Sequence, residues 1–209
     1  MRINSLKLTP DRAGRYWVTF EDDSKLGLYR QTVEDFGLYT GMELTEEEFE
    51  KLQATAGQMS AKMRAVRIVS ASSVSKKDLE QRLIRKGEDP DQAREAVQWM
   101  EDLHLVNDRN TAEQVAHSCI SKGYGLSRAK QALYEKRIPK KYWEEALADY
   151  PDQEERIESF LRSRLDADSD QKEIKKAIDA LLRRGHSYGT IRSVLNGLSF
   201  DTEDYYEDF

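Results

Sequence analysis

His117 and Cys119 stand two apart, a pairing that could supply a nucleophile with its base or form half of a metal site. Residues two apart on a helix point to different faces, and the chain has no second Cys/His cluster to complete a metal site. Cys119 instead continues an apolar stripe formed by Ala112, Val115, Ala116, Cys119 and Ile120, which marks it as core. His104 and His186 fall near expected helix ends and read as capping or solvent histidines. Lys122-Gly123-Tyr124-Gly125 is basic and glycine-containing, but it has neither P-loop spacing nor a preceding strand, so it reads as a loop between helices. No carboxylate pair stands out, and nothing brings nucleophile, base and orienting group together. The residues therefore point away from an enzyme and imply no cofactor and no metal.

The strongest binding signal is charge. Between Lys122 and Lys141 the chain carries Lys122, Arg128, Lys130, Lys136, Arg137, Lys140 and Lys141 against Glu135 alone, although the whole protein has a formal net charge of −6. A second cluster comprises Lys172, Lys175, Lys176, Arg183, Arg184 and Arg192 against Glu173 and Asp179. At spacings of three and four, several of these share a helix face. We expect them to meet an acidic protein surface or DNA phosphate, with Tyr124 in its loop as a further contact. Tyr134, Tyr142 and Trp143 interleave with the first cluster, and Trp143 falls at a core position of the helical pattern. The overall negative charge argues against indiscriminate nucleic-acid binding, which draws its affinity from phosphate neutralisation.

The elements that must carry these residues are mostly helical. Strand signals occur only near the start, in Ile3-Leu6-Leu8, Tyr16–Phe20 and Lys25–Tyr29, and predict a small antiparallel sheet. Thr45-Glu46-Glu47-Glu48 reads as a capping box, opening a helix from about Glu46 to Val69 with Phe49, Leu52, Met59, Met63 and Val66 as its stripe. Residues 1–70 thus form an amino-terminal β-hairpin and helix extension. With no apolar leader and no run of ~18 apolar residues, a cytoplasmic protein that does not engage membranes is expected. One cysteine agrees with a reducing compartment.

From Ser75 the sequence repeats. Segments ending at Gly87, Arg137 and Gly185 share one helical pattern with apolar positions four apart and basic last turns. Second helices open at Asp89-Pro90, Ile138-Pro139 and Ser187-Tyr188. Stripes containing Ala112 to Ile120, and then Ile157, Phe160, Leu161 and Leu165, give third helices that close the first two units. The expectation is a mainly α chain of tandem three-helix, helix-turn-helix-like repeats in an elongated curved array: repeat 1 over 71–121, repeat 2 over 122–168, an incomplete repeat 3 over 169–200, and an acidic tail over 201–209. A monomer is expected.

Ser75-Lys76-Lys77-Asp78-Leu79, Leu83, Lys86-Gly87, Ala93 to Leu103 and Val106-Asn107-Asp108 resemble the first repeat of the bacterial RecX family. Gly125-Leu126-Ser127-Arg128-Ala129, Leu133, Lys136 and Ile138 resemble its second. The likeness spans roughly 70–198, and the hairpin with its helix looks like the extension of many Gram-positive members. Ala71-Ser72-Ser73-Val74 departs from the family's basic and aromatic residues at that junction, and Arg137 stands where glycine is common. The resemblance implies a regulatory protein that binds the RecA recombinase filament in DNA repair and recombination, altering its growth, strand exchange and ATP turnover, with inhibition the expected direction.

A helix-turn-helix DNA-binding transcription regulator is the competing reading, since short helices joined by glycine-ended turns also build that motif. Against it, the second helix from Gln92 to Leu103 is acidic, whereas recognition helices present donors to bases.

Overall fold

The computed structural model describes residues 1–7, 9–166 and 168–198. The chain is mainly helical with one small antiparallel sheet, as predicted, and divides into two compact units, Met1–Asn107 and a second from Asp108 onward. Leu8 and the acidic tail over 201–209 lie outside the described residues.

In the first unit, β1 (Ile3–Leu6), β2 (Arg15–Phe20) and β3 (Lys25–Tyr29) form an antiparallel sheet in that order. Alternation along β2 buries Val18 and Phe20 on one face. Asp11 anchors the β1–β2 loop by accepting from the backbone N–H groups of Ala13 and Arg15 and from the Arg15 and Trp17 side chains. The Arg15 backbone N–H is the chief cause that holds its carboxyl down at about 2. A short helix, α1 (Arg30–Asp35), follows β3 directly and has no counterpart in the sequence reading. Its first residue has no side-chain cap, so the only local signals are the Arg30–Glu34 and Gln31–Asp35 side-chain pairs four apart.

Helix α2 (Glu46–Ala71) begins at the predicted capping box: Thr45 Oγ1 accepts from the Glu48 N–H at 3.2 Å, and the Glu48 carboxylate accepts from the Thr45 N–H at 2.8 Å. Its buried residues are Leu52, Ala56, Ala61 and Ala65, while Met59 and Met63 are only half-buried. This corrects the methionine stripe. Leu52 and Ala56 pack under the sheet, whereas Ala61 and Ala65 join α3 (Lys76–Arg85) and α4 (Pro90–Asp102) in a core with Leu79, Leu83, Ala93, Ala96 and Met100. Small residues let α4 lie close against α2; a Cβ on Gly57 would stand 2.3 Å from the Gln92 side chain.

The second unit contains α5 (Asp108–Ser121), α6 (Leu126–Glu135), a 3-10 turn (Lys140–Tyr142), α7 (Trp143–Ala146), α8 (Gln153–Arg162), α9 (Gln171–Arg183) and α10 (Tyr188–Gly197). Ala112 of α5, Leu133 of α6 and Ile138 make one core, with Trp143 of α7 against it; Ile157 and Leu161 of α8 make another with α9 and α10. The three-helix groups are therefore α2–α4, α5–α7 and α8–α10. The helix expected to close each of the first two repeats instead opens the next one, which displaces the 71–121, 122–168 and 169–200 divisions. Periodicity reveals an apolar stripe but not which neighbour it faces.

The repeated helix ends are alike in three dimensions. Gly87, Arg137 and Gly185 take φ of 91°, 55° and 82°. In each case the following amide donates back across the last turn: Glu88 to Leu83, Ile138 to Leu133 and His186 to Leu181, at 3.1 to 3.2 Å. This is the six-to-one closure of a left-handed helix stop. Arg137 adopts the left-handed conformation that glycine adopts elsewhere in the repeat. The residues following these stops, Glu88, Ile138 and His186, are all buried.

Candidate functional site

The turn from Ile120 to Gly125 ends α5 and starts α6. It is fastened by groups from α8, α9 and their flanking segments. Arg156 Nη1 donates to the Ile120 carbonyl at 2.7 Å, and the Tyr150 hydroxyl donates to the Tyr124 carbonyl at 2.8 Å. The Gly125 N–H donates to the Arg184 carbonyl at 2.8 Å, and His186 Nε2 stands 3.3 Å from the Gly123 carbonyl. Burial, with the nearby Cys119, pushes the Tyr150 hydroxyl up to about 12, so it stays a donor. Backbone approach is close enough that a Cβ on Gly125 would lie 2.3 Å from the Gly185 carbonyl oxygen. These interactions join the α5–α7 and α8–α10 groups across their loops.

Beside this turn is an open groove of about 570 Å³, lined by Lys122, Arg156, Phe160, Arg164, Arg184 and His186 together with small and apolar neighbours. Arg164 and Arg184 hold their guanidinium carbons 4.8 and 4.9 Å from the Phe160 ring centroid, a cation–π placement that restrains both heads. His186 is 6% exposed and its Nδ1 is buried without a hydrogen-bond partner. Burial, then the charges of Arg156 and Arg184, hold its imidazole below the ordinary value, partly offset by the Gly123 contact. The reading of His186 as a capping or solvent histidine is thereby corrected: the left-handed stop at Gly185 turns it inward.

The expected contact residues divide. Lys122 and Arg184 meet in the groove. Tyr124 lends its carbonyl to Tyr150, and Arg128 lies 6.0 Å from the Tyr124 ring while Nη1 donates to Gln131 and stands 3.8 Å from Glu135. Lys130 is exposed on α6; Lys136 and Arg137 form its end, and Lys140 and Lys141 follow on the 3-10 turn, with Lys141 over Tyr142. Lys172, Lys175, Lys176 and Arg183 are exposed along α9. Trp143 is half-buried and donates Nε1–H to the Ile138 carbonyl at 2.9 Å, as its core position predicts. Sequence reasoning missed Arg156, Phe160 and Arg164. Their four-residue spacing on and just beyond α8 is the available signal, but Phe160 fits a plain apolar stripe equally well.

Cys119 is buried, as expected for core, and burial raises its thiol although Lys122 and Arg128 pull the other way; His117 is exposed. Among the described residues, no group of His, Cys, Asp and Glu is placed to hold a metal ion, and no helix is long and apolar enough to cross a membrane.

Comparison with known proteins gives a consistent likeness. The family model described as RecX, second three-helix domain, matches residues 107–147, a span that begins at α5 and supports the helix grouping above. A regulatory protein RecX of Clostridioides difficile is 27% identical over 97% of both chains. One from Vibrio campbellii is 28% identical over 75% of this chain and 99% of its own. A crystal structure titled regulatory protein RecX superposes with a TM-score of 0.61 at 18% identity, covering 93% of this chain and 98% of the other, and so speaks to the fold. That of RecX from Lactobacillus salivarius gives a TM-score of 0.59 at 25% identity over 69% of this chain and 97% of the other.

Proposed function

Because the chain belongs to the RecX family, we propose that it is a non-enzymatic regulator that binds the RecA recombinase filament and restrains its growth, strand exchange and ATP turnover. The observation that carries this reading is the likeness to regulatory proteins along nearly the whole of both chains, rather than across one motif. The proposed contact surface is the basic set on α6, the following turn and α9: exposed Lys130, Lys140, Lys141, Lys172 and Lys175, with half-buried Lys136 at the end of α6. Exposed cations steer association with an acidic partner and lose that effect in salt. We place the protein in the cytoplasm as a monomer, and allow it DNA contact through the same basic faces.

The test is binding of the protein to RecA filaments assembled on single-stranded DNA, with Lys140→Glu and Lys175→Glu combined. Affinity at low salt should fall steeply in the double variant. Affinity equal to the unaltered protein's would remove the proposed surface, and absence of filament binding by the unaltered protein would remove the function. A shift of naked duplex DNA that depends on its sequence would favour the transcription-regulator reading instead.

A further inference from the structure

The groove beside the Ile120–Gly125 turn has a composition that the helical scaffold does not explain. Four cations line it, Lys122, Arg156, Arg164 and Arg184, and no carboxylate does. None of the four makes an ion pair among the described residues. Elsewhere the chain does pair its arginines: Arg15 with Asp11, Arg30 with Glu34, Arg82 with Asp78 and Arg162 with Glu158. In a protein of net charge −6, four unpaired cations around one concavity repel one another, and an anion would relieve that repulsion.

The three arginines are also held in place before any ligand arrives. Arg156 is fixed by its bond to the Ile120 carbonyl and Arg184 by its own to the Ala180 carbonyl at 3.0 Å. Phe160 backs the heads of Arg164 and Arg184. Guanidinium groups with spare donors suit a tetrahedral oxyanion, because each can offer N–H groups to a separate oxygen.

His186 is the second, independent observation. It lines the same groove, it is more than nine-tenths buried, and its Nδ1 has no partner. With Nε2 facing the Gly123 carbonyl, Nε2 carries the hydrogen and Nδ1 is left as a bare lone pair, a costly arrangement in a buried place. The charged groups acting on it are Arg156 from α8 and Arg184 at the end of α9, and Lys122 and Arg164 line the same groove, all positive. A doubly charged anion in the groove would reverse that field, favour a proton on Nδ1 and accept it as a hydrogen bond.

We propose that this groove binds a phosphomonoester, the dianionic phosphate of a nucleotide or of a nucleic-acid strand end. Its volume of about 570 Å³ is on the scale of a nucleotide-sized ligand, since small-molecule sites span roughly 300–1,000 Å³. A phosphodiester carries one charge and is served by an open basic track, whereas a monoester near neutral pH carries close to two and matches a concave, four-cation cradle with a protonatable histidine. The inference concerns the protein alone and stands separately from the filament reading.

The experiment is calorimetric titration of the full chain at low salt with inorganic phosphate, adenosine monophosphate, and one short single-stranded oligonucleotide carrying either a 5′-phosphate or a 5′-hydroxyl. The nucleotide and the 5′-phosphorylated strand should bind, and the 5′-hydroxyl strand should bind roughly tenfold more weakly or less. Whichever of the first two binds more tightly identifies the natural source. Lys122 and Arg164 are exposed, so Lys122→Glu and Arg164→Glu should keep the helical circular dichroism spectrum while weakening binding about tenfold each, the effect of one charge-assisted contact. Lys51→Glu, far along the sequence on α2, should change nothing. On binding, the imidazole nitrogen resonances of His186 should move to the doubly protonated form. Equal binding of the two strands, binding only by a peptide rich in Asp and Glu, failure of every phosphate probe, or full affinity in both variants would each overturn the proposal.

Discussion

The backbone N–H of Gly125 donates to the carbonyl of Arg184 at 2.8 Å, and a Cβ on Gly125 would stand 2.3 Å from the neighbouring Gly185 carbonyl oxygen. Two helix-connecting loops from different repeats are thus in backbone contact, and both glycines are needed for it. Gly125→Ala should lower stability by about 2 kcal/mol, the scale of overpacking against atoms that cannot move aside. Gly87, at the equivalent helix stop in the first unit, has open space around it and only a left-handed φ to maintain. Gly87→Ala should therefore cost about 1 kcal/mol. Urea unfolding of the two variants tests the order; an equal or smaller loss at Gly125 would mean that the loops are not packed this closely.

His104 closes α4 at φ 57° and is exposed. A β-carbon is disfavoured there, so His104→Gly should raise stability by about 1 kcal/mol. An unchanged or lower unfolding midpoint would show that the histidine side chain contributes something its exposure does not suggest.

Glu88 is 8% exposed and lies in the position that Ile138 fills in the next repeat. Ser60 Oγ donates to its carboxylate at 3.0 Å, and Arg64 Nε stands 2.6 Å from the same oxygen, a charge contact that lacks hydrogen-bond alignment. Arg64→Met strands a buried carboxylate and should cost about 3 kcal/mol. Pairing it with Glu88→Ile restores the composition of the second repeat and should recover most of that loss. Additive losses in the double variant would contradict the equivalence.

His186 is buried and neutral, with its folded-state value below the ordinary 6.5. The unfolded chain then binds the proton more readily, so the group's contribution is complete above about pH 6.5 and shrinks as pH falls toward the depressed folded value. Unfolding free energy measured between pH 8 and 5 should decline in that acidic window, and His186→Gln should flatten the decline attributable to this residue. Identical pH profiles for the two proteins would rule out a buried neutral imidazole.

Much of the architecture was legible because its signals are local. Thr45 with Glu48, Asp89-Pro90 and Ser187 marked helix starts, and the 87, 137 and 185 positions marked the repeated stops. What was not legible depended on neighbours far apart in sequence. Nothing local says that Ala112 faces Leu133 and Ile138, so periodicity alone sets the repeat frame one helix late. Nor does it say that Ala61 and Ala65, rather than Met59 and Met63, lie beneath α4. The basic clusters were visible as composition, but the groove is not a cluster in sequence. It joins Lys122 and Arg184 to an arginine–phenylalanine–arginine stripe on and just beyond α8, and His186 enters it only because Gly185 reverses the chain.

The proposed regulation of the RecA filament is read most directly in the rate of RecA-dependent ATP hydrolysis on single-stranded DNA, titrated with this protein at fixed salt. The rate should fall saturably, and the fall should be weakened in the Lys140→Glu, Lys175→Glu variant; a rate unchanged at saturating protein would mean that the protein does not regulate the filament.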